Sequence, residues 1–500
     1  MSHHLISEPR ELDPGLIAAV ADGAGIRLAP ALLDDVRGQC AAAREVLRRG
    51  DRVYGVNTGM GALVGATLTE AEQLAHQRNL LLARATGGPP WLAEPEVRAL
   101  IAVRLRTFLS GDSGVSAQLC LRLAGLLDQG IVAAVPRTGV GSAGEIIPLA
   151  HAFGPLAGIG RVLGPSGETA AASDVLRAHG LGEFALGPRE GHALLAGVPG
   201  ATALSVLRLA EARGLEAWME AAAALSVAAA GASRDPYTPG TARGNDVMAG
   251  VLARVLLAAG DQPEPRGLQA PVSFRVAGPV LAHVLRAAGA LAGACGRALD
   301  GVTDSPAFLD GRFTGTAGFH GIDLAAHCDG LTAALTHAAE VGAARVHRLL
   351  DPRVTGLPAQ LAARPGPDAG LVAVHKRAAG EVHAMRRLAA PTPVGLIETS
   401  GGQEDVQSFA WEAAEVLRRA LAHARAVTAC ELLAGYQAGA LSGRPAPAGC
   451  RAVAGRLAEV VGPIAADRPF GEDIERIIDA IGPGRGGHMI WPEVVREGSP

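Results

Sequence analysis

Aromatic residues are scarce, at 3% of the 500 residues, and only three of them are tyrosines. Ala and Leu abound instead. Both are strong helix formers, and small side chains let helices pack closely. Cysteine is scarce too. Cys40, Cys120, Cys295, Cys328, Cys430 and Cys450 stand far apart, with no C-x-x-C pair. That spacing argues against a disulfide framework and a zinc site. It fits a reducing cytosol, so a cytoplasmic protein without a metal is expected. No basic block is present, and the formal net charge is −4, which argues against nucleic acid as a partner. The start, Met1 to Arg10, has no apolar signal core. The most apolar run, Ala221 to Ala230, is too short to span a bilayer. Arg208, Glu211, Arg213, Glu216 and Glu220 precede it closely, so it reads as a buried helix, and no membrane partner is expected. Strand signals are weak, and short hairpins are expected only within 130–190.

Helical patterning fills most of the rest. Residues 14–50 read as two helical segments, followed by Glu70 to Ala85, Pro95 to Ser110 and Ser116 to Gly130. From Pro199 the patterns lengthen, over about 201–230, 245–260, 277–300, 322–350, 369–390 and 404–440. A chain of this length exceeds one core. Two domains are therefore expected: a mixed N-terminal one over 1–200 and a long-helix bundle over 201–500. The fold class is mainly all-α.

Several loops interrupt the helices. Tyr54-Gly55-Val56-Asn57-Thr58-Gly59-Met60-Gly61 is glycine-rich with one phenol, a surface turn or an active-site lid. Gly139 to His151 holds Gly141-Ser142-Ala143-Gly144 ahead of an apolar segment. By itself that is a tight loop before a helix. Gly158-Ile159-Gly160 lacks the strand and the spacing of a dinucleotide site. Gln269 to Arg275, Thr316 to Gly321 and Thr399 to Asp405 break the bundle. The last looks like a helix N-cap, with Glu404 and Asp405 in the first turn.

These loops, in this order, resemble the aromatic amino-acid ammonia-lyase and aminomutase superfamily, which includes the histidine and phenylalanine ammonia-lyases. Tyr54 to Gly61 is similar to its tyrosine loop. Gln77-Arg78-Asn79-Leu80 resembles a segment of the histidine branch. Gln269 to Arg275, Phe319-His320, Gln403-Glu404-Asp405 and Pro148-Leu149-Ala150-His151 resemble further family motifs. The likeness covers nearly the whole chain. It implies a helical homotetramer whose active sites are shared between subunits. It also implies methylidene-imidazolone, an electrophile formed when an Ala-Ser-Gly triad cyclises and its serine loses water.

Here the triad position reads Ser142-Ala143-Gly144. The central residue has no hydroxyl to lose, so the group is expected to be absent and no cofactor is expected. A register slipped by one would use Gly141-Ser142-Ala143. Other family positions also differ, with Arg84, Arg106, Asp112, Ala196, Val272 and Val406 where the family has other residues. Tyr54, Gln269, Arg275, Phe319 and Glu404 are retained. The leading expectation is an enzyme of this fold acting on a small carboxylate-bearing substrate by elimination, addition or cyclisation. Tyr54, Ser142 and Glu404 are its candidate catalytic residues. Arg84, Gln269, Arg275 and Phe319 are candidate substrate contacts, with Arg275 offering a fork for a carboxylate. The alternatives are a true ammonia-lyase or aminomutase with the slipped triad, and a non-catalytic binding homologue in which Arg84 and Arg106 are solvated helix charges.

Overall fold

The computed structural model describes residues 3–482 apart from Pro263 and Leu396. Helices dominate, as their patterning indicates. The described residues form three small sheets of two strands each. His3–Ile6 pairs in parallel with Gly25–Leu28, His3 opposite Gly25. Arg161–Leu163 pairs antiparallel with Thr169–Ala171, and Ala307–Leu309 with Arg312–Thr314. Only the middle pair falls where hairpins were expected. Strands of three or four residues are too short to carry a legible alternation.

Compactness groups the chain into two units, each built from three stretches. The first comprises the chain up to Arg208, Leu291–Cys328 and Pro391–Glu415. The second comprises Leu209–Ala290, Asp329–Ala390 and the described residues from Val416 to Gly482. Four helices run through dividing positions: Pro199–Ala229, Ala277–Asp300, Ile322–Leu349 and Ala410–Leu441.

The first unit is built around helix Glu94–Leu109, which is buried from Glu96 to Leu109 except at Thr107. Its buried arginines serve other chain segments. Arg98 donates to the carbonyls of Val20 at 2.7 Å, Leu127 at 2.9 Å and Ala24 at 3.0 Å. Val20 and Leu127 lie in the last turns of helices Pro14–Ala21 and Ala117–Asp128, whose terminal carbonyls have no intrahelical donor. Arg106 donates to Leu299 O and Leu12 O, both at 3.0 Å, and pairs with Asp300. Its reading as a solvated charge is therefore corrected: it is 6% exposed and its donors are engaged by backbone. Arg104 meets Asp304 at 2.8 Å, and the Asp304 carboxylate also accepts from the Ser113 hydroxyl at 2.5 Å.

In the second unit small residues bring helices together. A Cβ on Gly278 would lie 2.3 Å from Leu252 Cδ2, and one on Gly435 would lie 3.1 Å from Leu225 Cβ. Arg345 and Glu431 form a buried pair through bonds of 2.5 and 2.9 Å, and Ser226 also donates to Glu431 at 2.7 Å.

By length and composition two helical segments could cross a bilayer, Glu190–Ala229 and Ala277–Asp300. In the first, 83% of the most apolar window is buried inside the protein, which suits a core helix. All six cysteines are free and buried. Burial pushes the thiols of Cys120, Cys430 and Cys450 up to about 12.

Candidate active site

The loop at 139–145 is held by its neighbours. The Ser142 hydroxyl donates to Gly144 O at 2.7 Å. The Ala143 N–H donates to Glu404 Oε2 at 3.1 Å, and the Thr399 hydroxyl donates to the same oxygen at 3.0 Å. Glu404 was expected in the first turn of a helix. The helix instead begins at Ala410, and Glu404 pins the loop. A carboxylate accepts more strongly than a hydroxyl, so it can hold a backbone N–H firmly.

Glu145, not singled out in the sequence, is 2% exposed. It accepts from the N–H groups of Gly200 and Ala201, both at 2.6 Å. Those are unpaired donors of helix Pro199–Ala229, where the helix dipole favours an anion. Burial still dominates and pushes its carboxyl up to about 7, against these two bonds and Arg104. Gly200 permits the approach, since a Cβ there would lie 2.2 Å from Trp411 Cζ3.

Ser142, Ala143, Glu145, His320, Phe409 and Trp411 help line a small cleft. Phe409 sits at φ 53, a left-handed conformation that costs a non-glycine residue about 1–3 kcal/mol. Phe319 lies beside His320 in the short turn Gly318–His320 and is half-buried.

Tyr54 is half-buried in its own loop. The Gly61 N–H donates to the phenol oxygen at 2.8 Å. Asn57 ties the loop base, accepting from Val53 N–H at 2.8 Å and donating to Asp51 O at 2.7 Å. Behind the loop stands His192, its ring edge-on to Tyr54 with centroids 6.0 Å apart. A Cβ on Gly55 would lie 2.6 Å from His192 Cδ2, and Gly55 has φ +70, so glycine is required there on both counts. Buried Gln77 joins the two parts: its Nε2 donates to Gly55 O at 3.2 Å, and its Oε1 accepts from His192 N–H at 2.9 Å. Burial and then Arg189 push the His192 imidazole down to about 3, so the ring is neutral.

Arg84 closes helix Glu70–Arg84 and is half-buried. Burial is the largest influence on its guanidinium and lowers its pKa, while Tyr54 and Glu404 act oppositely on it. The first unit thus gathers Tyr54, Arg84, Ser142, Ala143, Gly144, Phe319 and Glu404. Gln269 and Arg275 belong to the second, where Arg275 Nη1 donates to Gln269 Oε1 at 3.1 Å. Their loop is held from below. The Tyr237 hydroxyl donates to Phe274 O at 2.6 Å, and Arg345 donates to Ser273 O at 3.2 Å.

The methylidene-imidazolone can be tested against these residues. In the register matching the family, position 143 carries a methyl group and no hydroxyl, so the residues there do not fit it. In the slipped register, Ser142 supplies a hydroxyl, and the Ala143 N–H faces the Glu404 carboxylate.

Residues 12–460 match the family described as aromatic amino acid lyase. The chain is 33% identical over 490 residues to a histidine ammonia-lyase of Anaeromyxobacter sp. (strain K), covering 94% of this chain and 96% of that one. It is 34% identical over 496 residues to a histidine ammonia-lyase of Streptomyces coelicolor, covering 95% of each. The structure matches tyrosine aminomutase from Streptomyces globisporus with a TM-score of 0.88, at 26% identity over 94% of each chain. It matches histidine ammonia-lyase from Trypanosoma cruzi with a TM-score of 0.90, at 23% identity over 99% of this chain and 96% of that one, a likeness of fold. With the tyrosine loop, the triad loop and the helical fold in place, this chain belongs to the aromatic amino acid lyase family.

Proposed function

We propose that this chain is a lyase-type enzyme that acts on a small amino-acid-like carboxylate without building the methylidene-imidazolone. Tyr54 carries the proton that an elimination, addition or cyclisation moves. The observation that carries this reading is Ala143, which has no β-hydroxyl to leave as water. The remaining parts support it. The Gly61 N–H fixes the phenol oxygen and leaves its proton free for another acceptor. Arg275 anchors the substrate carboxylate, with Gln269 beside it. Glu404 holds the floor of the cleft, and Ser142 offers a hydroxyl there. The protein works in the cytoplasm as a homotetramer with active sites shared between subunits. Exposed apolar side chains support the assembly: Leu268 and Val272 on one loop, Val394, Ile397 and Val406 on another.

A positioned acid or base contributes about 10²–10⁴-fold to a rate. Tyr54→Phe is therefore expected to lower turnover by about that factor, followed by ultraviolet absorbance over a panel of amino acids and their unsaturated acids. Unchanged turnover sinks the proposal. Ligand binding with no turnover on any member of the panel points to the binding homologue.

A second reading, a true histidine or aromatic amino-acid ammonia-lyase or aminomutase, has one observation in its favour. The Ala143 N–H, which would close a slipped ring, already meets a carboxylate at 3.1 Å. Intact mass separates the two readings. Loss of two waters within 139–151 establishes the slipped group, and a full-length mass excludes it.

A further inference from the structure

Glu404 reaches the Ala143 N–H from a tight turn whose two ends are tied to each other. The Thr399 N–H donates to Glu404 O at 2.9 Å and the Glu404 N–H donates to Thr399 O at 3.3 Å, so the two residues face each other across the turn. Between them Ser400, Gly401 and Gly402 have φ of 55, 63 and 85. Glycine takes that conformation freely, and Ser400 takes it at a cost. Directly opposed side chains stand close enough to bond. The Thr399 hydroxyl donates to Glu404 Oε2 at 3.0 Å, the oxygen that holds the Ala143 N–H. A carboxylate only accepts, so the hydroxyl proton is committed to it and the Thr399 oxygen is left to accept. Gln407 fills that place, its Nε2 donating to Thr399 Oγ1 at 3.2 Å and to Ile397 O at 3.1 Å. A carbonyl oxygen accepts only, which fixes the amide with its nitrogen toward the turn. The other half, Gln407 Oε1, is buried with no partner among the described residues, and Gln407 is 3% exposed. An unpaired buried acceptor costs free energy that an apolar side chain of the same shape avoids. Stability therefore does not account for an amide at 407, whereas the groups its Nε2 orients do.

We propose that Thr399 and Gln407 are positioning residues of this site, which turn Glu404 so that one oxygen holds the Ala143 N–H and fixes the loop of Ser142 and Ala143 along the cleft. The inference rests on the proposed function for the role of that cleft. The relay runs from Gln407 to Thr399, Glu404 and Ala143 through contacts of 3.2, 3.0 and 3.1 Å, all within the first unit. Each bond sets the direction of the next, and the two to the carboxylate are the strong ones.

Hydrogen exchange of the full-length protein over 139–145, with helix Glu94–Leu109 as an internal reference, tests the relay alongside steady-state turnover on the panel above. Thr399→Val removes the charge-assisted donor. It is expected to quicken exchange over 139–145 at least about tenfold without change in the reference helix, and to lower kcat about tenfold with KM within about twofold. Thr399→Ser keeps the hydroxyl and is expected to restore both. Gln407→Met removes a neutral donor together with the unpaired oxygen. It is expected to quicken exchange over 139–145 about fivefold while the urea midpoint stays unchanged or rises. Exchange at the parental rate in either variant removes that residue's role, and in both it overturns the relay. So does a loss that Thr399→Ser shares with Thr399→Val, or quickening that spreads equally to the reference helix, which would make the turn a structural brace alone. Quicker exchange with kcat unchanged overturns the positioning role as well. The two proposals fail differently. Where Tyr54→Phe leaves turnover unchanged, or no panel member turns over, the proposed function falls and exchange alone decides the relay. Where Tyr54→Phe is impaired and exchange stays parental, the relay falls and the proposed function stands.

Discussion

Ala143 lacks a single oxygen, and the proposed chemistry turns on it. Ser142 carries that oxygen one position too early, and its O–H donates to Gly144 O at 2.7 Å. Exchanging the two side chains, Ser142→Ala with Ala143→Ser, restores the family order in a loop that Glu404 already holds. The double variant is expected to lose two waters from its intact mass, and a full-length mass would show that the loop has lost more than its hydroxyl. Glu145, next in line, is a second residue-scale case. Burial raises its carboxyl from an ordinary 4.5 to about 7. Between those values the folded protein holds the proton more tightly than the unfolded chain. Stability is therefore expected to fall as pH rises through that window, by roughly 3 kcal/mol in total. Glu145→Gln is expected to flatten that slope in urea melts across pH, at the cost of one acceptor for Gly200 and Ala201. An unchanged slope would mean that the two N–H bonds outweigh burial.

At the scale of elements, the tyrosine loop is rigid where it meets the helices. Gln77 joins Gly55 O on the loop to His192 N–H on helix Glu190–Leu195, across a buried contact. Both backbone groups depend on its amide. Gln77→Leu leaves both unpaired and is expected to lower stability by about 1–3 kcal/mol in urea. It is also expected to loosen Tyr54, read as faster hydrogen exchange over 53–61. Exchange as slow as in the parent protein would show that His192 packing alone holds the loop. The buried arginines of helix Glu94–Leu109 follow the same logic. The sequence there reads as a helix over Pro95 to Ser110, and its Arg98 and Arg106 turn inward because helix-end carbonyls need donors.

At the scale of the molecule, the second unit holds a buried ion pair at its centre of polar contacts. Arg345 and Glu431 are each nearly inaccessible and also hold Ser226 and Ser273 O. Removing one partner strands a charge in a core of small apolar side chains. Arg345→Met is expected to cost about 3–5 kcal/mol, measured by denaturant unfolding, and adding Glu431→Leu is expected to recover much of it. A double variant as unstable as the single one would show that the pair's hydrogen bonds to Ser226 and Ser273 O matter more than its charge. The return of residues 291–328 and 391–415 to the unit that opens the chain also belongs to this scale. Composition carries no mark of it, because the helices concerned read as uninterrupted.

By itself, the residue order determined the family, the run of long helices and the absence of a hydroxyl at position 143. Periodicity and covalent identity are local properties, legible without a partner. The tertiary structure alone decided what the polar side chains do. Glu404 read as a helix cap, and it meets the Ala143 N–H across 261 positions. Gln77 was one letter of a motif, and it meets His192 across 115. Glu145 and His192 gave no local signal. Burial sets their protonation and their need for partners, and burial exists only once distant segments have packed against them.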